Sequence, residues 1–332
     1  MKKVLTILLL GALCFSCQRS ALNPRYGMYY WRTTMGWESD DARWADSIGV
    51  ETLYLRLFDV VRDGAEPRLG MRPEATLRFG DADRSKAFFA SFRKVVPVVF
   101  IAPDVITRDN AGKMPQLAAM LLGRIDQMCE LNGLGRLSEV QIDFDWTKSN
   151  GAAYFSLLQA LADALHREGR TLSTTIRLHQ LALQVPPVDR GVLMCYNTGK
   201  IKDPDEVNSI LTKESVTPYL PHLKDYALPL SLALPQFGWN VVFHQRQFSF
   251  LAPGLELSDT TQFAAIDATH YRARTYQAVP RALSVMSEGH VRIFPGDIVR
   301  REDSNDALNR EVLEEMHSLR PDIADEVIYY RN

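Results

Sequence analysis

Hydrophobic and polar positions follow two different periods along most of this chain. Eight short runs rich in β-branched, aromatic or leucine residues read as strands: Tyr26–Arg32, Thr52–Asp59, Val95–Ala102, Glu139–Asp145, Leu172–His179, Gly191–Tyr196, Ala227–Leu234 and His290–Phe294. Between them apolar positions recur every three or four residues, the spacing of one helix face. Ser39 can cap a helix over Asp40–Ile48 that Gly49 ends, and a second helix spans Met114–Leu131, ending at Asn132–Gly133. The clearest helix is Asn150–Glu168, with Tyr154, Leu157, Leu158, Leu161 and Leu165 on one face and Gly169 just past its end. Asp203–Leu211 and Asp306–Leu319 carry the same pattern. Strands separated by helices build βαβ units and a parallel sheet, and eight such strands close into a (β/α)8 TIM barrel. The expected fold is one α/β barrel over residues 25–332 with an extended loop insertion after the seventh strand. Phe237–Gly289 is that segment, longer than an ordinary βα connection. It holds Trp239, Phe243, Phe248, Phe250, Tyr271 and Tyr276, and reads as an elaborated loop over the barrel mouth or as a small helical subdomain.

Residues 1–16 stand outside this scheme. Lys2 and Lys3 precede an apolar run, Val4–Phe15. That run has the length of a signal-peptide core and is too short to span a bilayer, which takes about 20 residues. Ser16 before Cys17 resembles a bacterial lipobox, although Cys14 and Phe15 sit where smaller or branched residues are commoner. The reading is a lipoprotein signal peptide over 1–16, lipidation of Cys17 and a tether over 17–24. Ordinary secretion and an uncleaved anchor are the alternatives. A lipid on Cys17 would hold the protein to a membrane of the cell envelope (outer membrane or periplasm) without a transmembrane helix.

Charge and cysteine content narrow the function. The net charge is −2 and no basic block occurs, which argues against a nucleic-acid partner. Only Cys129 and Cys195 follow Cys17, too few for a disulfide scaffold or a zinc-finger site. GxSxG, HExxH and phosphate-binding glycine loops are absent, so no metal and no cofactor are expected.

The most informative segment is Val140-Gln141-Ile142-Asp143-Phe144-Asp145-Trp146-Thr147. Side chains alternate faces along a strand, so Val140, Ile142 and Phe144 meet the helices while Gln141, Asp143 and Asp145 face the barrel interior. Polar groups there need partners. On the second strand Arg56 faces inward if Leu53, Leu55 and Leu57 meet helices. On the fifth, Ser173, Thr175, Arg177 and His179 share a face. Asp143 can therefore pair with Arg56 or Arg177, leaving Asp145 for the pocket. Active sites of such barrels lie at the C-terminal strand ends, and Asp145 is nearest that end.

Asp143 and Asp145 resemble the last two aspartates of DxxDxDxE, the fourth-strand signature of family 18 glycoside hydrolases, which include chitinases. Met194-Cys195-Tyr196-Asn197 is similar to that family's sixth-strand MxY(D/N) segment, and Leu228–Gly238 to its seventh strand with an LxxPxxG ending. The matches fall in order over roughly the central third of the chain. The resemblance implies a site at the barrel mouth in which Asp145 and Asp143 are the catalytic pair and Tyr196 contacts a substrate acetamido group. Asn197, Gln141, Trp146, Gln236 and Trp239 are the further candidates for binding a glycan or oligosaccharide. Tyr29, Tyr30, Trp31, Trp37 and Phe237 would add aromatic surface for sugar rings.

Two positions depart from the family. Val140 replaces the first aspartate, and Thr147 stands where the family has its acidic glutamate. A threonine hydroxyl does not protonate a glycosidic oxygen. Asp145 with a raised pKa could replace it, as could Asp59, Asp104, His179 or Asp297 at other strand ends. Asp59 and Asp104 also serve as turn residues and His179 as a rim histidine. Two functions stay open: a glycan-cleaving envelope enzyme, or a barrel that has lost catalysis and binds a glycan or an envelope protein.

Overall fold

The computed structural model describes residues 22–36, 39–66, 68–135, 137–280 and 290–331. Residues 1–21, on which the expected signal peptide and Cys17 fall, and Trp37 lie outside them. Eight parallel strands form the barrel: β1 (Arg25–Tyr30), β2 (Val50–Arg62), β3 (Lys94–Ile101), β4 (Glu139–Asp143), β5 (Thr171–Arg177), β6 (Arg190–Met194), β7 (Leu230–Pro235) and β8 (Glu326–Tyr330). Each pairs with the next, and the ring closes where β1 pairs with both β2 and β8. Helices α1 (Ser39–Ile48), α2 (Ala82–Ala90), α3 (Met114–Leu131), α4 (Gly151–His166) and α5 (Asp306–Leu319) pack outside.

The pattern of α4 explains its place. Tyr154, Leu157, Leu158, Leu161 and Leu165 are all fully buried, and Gly169 follows at φ +70°, a left-handed turn that glycine adopts without a Cβ clash. Val140 and Ile142 of β4, and Phe144 just past it, have no exposure and belong to the outer apolar core. Their alternates Glu139, Gln141 and Asp143 are also buried, but inside the barrel among polar partners.

The eighth strand is expected at His290–Phe294 from its residues. The structure places it at Glu326–Tyr330, beyond α5. His290–Ile293 pairs instead with Gln277–Pro280 in a two-stranded hairpin. The segment after β7 is neither loop nor helical subdomain. Gln247–Leu251, Gly238–His244, Ile298–Asp303, His270–Ala273 and Phe263–Ala265 form a five-stranded antiparallel sheet in that spatial order. At its entrance a Cβ on Gly238 would lie 2.9 Å from the Glu302 carbonyl oxygen and closer still to the Asp303 carboxylate. Asp203–Leu211, expected as a helix, is a loop between β6 and β7. Its backbone hydrogen bonds go to turns and to the antiparallel sheet rather than along a helix.

The floor of the barrel carries a buried charge network. Arg190 lies among Glu139, Glu326, Tyr54 and Ser231: Nε donates to Glu139 (3.0 Å) and Nη1 to Glu326 (3.0 Å) and Ser231 (2.8 Å). Lys94 holds the other Glu139 oxygen at 2.6 Å. The free thiols Cys129 and Cys195 are buried, and burial pushes each up to about 12, so neither is a nucleophile at neutral pH.

Candidate functional site

The C-terminal strand ends surround a cleft of about 410 Å³, within the size range of small-ligand sites. Its acidic side comes from β4. Asp143 is buried and accepts from Thr175 Oγ1 at 2.6 Å and Arg177 Nη2 at 3.2 Å. Of the two arginines expected as partners, Arg177 takes it. Arg56 is bound to Asp59 three residues on and donates to the Trp31 carbonyl, next to a register shift between Arg56 and Phe58 where β2 meets β3. Such a bulge re-aims the side chains beside it. Burial opposes the Arg177 charge, but facing Asp143, with Tyr196 and Asp145 behind it, outweighs burial and holds the guanidinium above its ordinary value.

Asp145 lines the same cleft and keeps 46% of its side chain exposed. Gln180 Nε2 approaches its Oδ1 at 3.3 Å, and His179 Nε2 lies 3.7 Å from that oxygen. Gln180 has no exposure. It also donates to the Trp146 carbonyl (2.8 Å) and accepts from the Arg177 amide (2.7 Å), tying the end of β4 to the turn after β5. The opposite side is aromatic. Tyr196 stacks on Tyr330 at 5.0 Å and 20°, and Trp31 meets Tyr330 edge-on at 6.1 Å. Burial pushes Tyr196 well above its ordinary phenol value and Tyr330 up to about 12. Both phenols therefore stay neutral hydrogen-bonding groups.

The cleft thus gathers Asp143, Asp145, His179, Tyr196 and Asn197. Asn197 is exposed on its rim in the left-handed region (φ +53°), a conformation asparagine tolerates. Four other candidates lie elsewhere. Gln141 has no exposure and sits deeper in the barrel, bonded to Tyr29 (2.8 Å) and Ser173, because it is two residues nearer the floor than Asp143. Trp146 turns outward onto Phe155 of α4 and is buried there, as strand parity after Asp145 requires. Trp239 belongs to the antiparallel sheet and donates to Glu302 at 2.6 Å. Gln236 lines a larger groove of about 1090 Å³ outside the barrel between α1 and α5. That groove is bigger than the cleft, but its paired charges, Lys213 with Glu311 and Glu315, lie outside the barrel interior.

The alternative acids also separate. Asp297 is buried in the antiparallel subdomain, 2.7 Å from His244 Nδ1, and Asp59 is spent on Arg56. Asp104 is exposed and outside the cleft lining. Thr147 is exposed and occupied by the turn that starts α4. Its amide donates to Asn150 Oδ1 at 2.7 Å and its Oγ1 lies 2.8 Å from Ser149 Oγ. Tyr330 and Gln180 belong to the site without a sequence motif to mark them. Tyr330 was hidden by the misplaced eighth strand, and no pattern marks a buried amide such as Gln180.

No family model and no curated protein sequence matches the chain. Solved structures do. The spore cortex-lytic enzyme SleL of Bacillus cereus superposes with a TM-score of 0.55 at 14% identity, over 93% of this chain and 70% of that one. A chitinase of Chromobacterium violaceum gives 0.53 at 12%, over 93% and 94%. The GH18 chitinase ChiB of Flavobacterium johnsoniae gives 0.51 at 12%, over 93% and 88%. The chain has the (β/α)8 TIM-barrel fold of these structures. At these identities the likeness is one of fold.

Proposed function

We propose that this protein is an envelope lipoprotein whose barrel cleft binds a glycan containing N-acetylated amino sugars. One observation carries the reading. Asp145 and Tyr196, singled out from separate sequence motifs on different strands, line one concave cleft with an aromatic side and a charged floor. Sugar rings offer apolar faces to Tyr330 and Trp31 and hydroxyl or amide groups to Asp145, Asn197 and Tyr196. The compared barrels are by name chitinases and cortex-lytic enzymes, which supports an amino-sugar ligand. Thr147, outside the cleft and hydrogen-bonded into a turn, leaves the family's glutamate-driven hydrolysis without its acid. A concave site of this size favours a small ligand over a protein surface.

Binding of an N-acetylglucosamine oligomer, measured by calorimetry on residues 20–332, is expected to weaken at least tenfold in Tyr196→Ala, on the order of the 1.4 kcal/mol that such a change represents. Asp145→Asn should weaken it too. Equal affinity in all three proteins would remove the cleft from the ligand site. The anchor has its own check. Cys17→Ser should move the full chain from the membrane to the soluble fraction, and continued membrane retention would sink the lipidation.

A further inference from the structure

Of the candidate acids at the strand ends, Asp59 and Asp297 are paired elsewhere, Asp143 is held by Thr175 and Arg177, and Asp104 lies outside the cleft lining. Asp145 and His179 are left together in the cleft, and of the two His179 stands at its open side. It follows β5, lines the cleft with 48% of its side chain exposed, and stands in contact with Asp145. The carboxylate beside it is fixed by Gln180, a buried amide whose other hydrogen bonds are all to backbone. The group order is that of an oriented proton donor: a fixed carboxylate, an imidazole against it, and open cleft beyond.

Resting on the glycan-binding reading above, we infer that His179, oriented by Asp145, is the general acid with which this barrel cleaves its amino-sugar ligand. The imidazolium of His179 gives its ring proton to the glycosidic oxygen as the C1–O bond breaks, and the bond's electron pair leaves with that oxygen. Water forms the new bond to C1 and releases a proton to the solvent, from which the imidazole of His179 takes one back. One water is consumed and both side chains end as they began. Asp145 keeps the imidazolium paired while the substrate charge develops. Gln180 acts only by positioning Asp145.

The experiment pairs two measurements on residues 20–332: calorimetric binding of an N-acetylglucosamine oligomer, and fluorescence release from its umbelliferyl glycoside. The wild type is expected to bind and to turn over. His179→Gln should bind equally well and lose about 100-fold or more in kcat, the usual contribution of a general acid, with KM unchanged. His179→Asn, read the same way, covers a failure of the first variant to fold, and retained binding is the fold control for both. A wild type that binds without turnover, or a His179→Gln variant that keeps its kcat, overturns the role of His179 and leaves the binding reading standing. A wild type that does not bind overturns the reading on which this role rests.

Discussion

Arg190→Met will destabilise the barrel by about 3–5 kcal/mol, the cost of stranding a buried charge whose partner is removed. In a chain of this size that corresponds to a fall of roughly 5–10 °C in Tm. Arg190 bonds to both Glu139 and Glu326, whose side chains retain 2% and 10% exposure. The pH dependence carries a sign that a simple packing loss would not. Burial raises the Glu139 pKa, but Arg190 and then Lys94 outweigh it, and the group sits below its ordinary value. A depressed carboxylate contributes stability that is complete above its unfolded value, about 4.3, and lost as pH falls through its folded one. Without Arg190 the burial contribution gains ground and the depression shrinks or reverses. The stability gap between wild type and Arg190→Met should therefore narrow as pH drops from 7 through about 4.3 toward 3 in chemical denaturation. A gap that stays constant across that range would mean the loss is one of packing, with Glu139 indifferent to its arginine.

The same residues show how far the chain could be read without coordinates. The parity of β4 put Gln141, Asp143 and Asp145 on the interior face, and it applies equally to Glu139 one step lower. Nothing local says that the arginine meeting Glu139 comes from residue 190, because parity fixes a face and leaves the height in the barrel to register. Height also decided Gln141. It shares a face with Asp145 but lies two levels down, so it packs with Tyr29 while Asp145 meets the cleft. Asp143 had two arginines within reach of its face, and a bulge on β2 settled the choice by turning Arg56 to Asp59.

The eighth strand failed for a related reason. His290–Phe294 and Glu326–Tyr330 are both short runs rich in β-branched and aromatic residues, and a run of five residues does not declare which sheet it will join. The helix Asp306–Leu319 held the answer, since a strand that follows a helix completes a βα repeat where a strand before it does not. Placing β8 after that helix brings Tyr330 to the cleft, stacked on Tyr196, and with it the aromatic surface on which the proposed ligand stacks.

Arg300→Met is expected to act at longer range than Arg190→Met, because its pair links the antiparallel sheet to the cleft. Arg300 and Glu302 have no side-chain exposure and lie 2.7 Å apart. The Arg300 guanidinium also donates to the carbonyls of Asp203 (2.6 Å) and Ile201 (3.2 Å) and covers the Phe243 ring. Glu302 accepts in turn from Ser209 and Trp239, both at 2.6 Å. Ser209, Ile201 and Asp203 belong to the loop that begins with the cleft residues Asn197 and Thr198. Removing the arginine leaves Glu302 buried with hydrogen bonds but no counter-charge, at about 3–5 kcal/mol, and orphans two carbonyls. Part of that energy should appear as local opening rather than global unfolding, since the loop lacks helix or strand hydrogen bonds of its own. Hydrogen exchange should speed up across residues 199–211 while α4 and β4 stay protected, and glycan affinity should fall because Asn197 and Thr198 lose their fixed geometry. The double variant Arg300→Met/Glu302→Leu should recover much of the stability, an apolar pair being no worse than an ion pair at such depth, but not the affinity, since the loop's carbonyls and Ser209 remain without partners. Protection of residues 199–211 that survives Arg300→Met would break the link between subdomain and cleft.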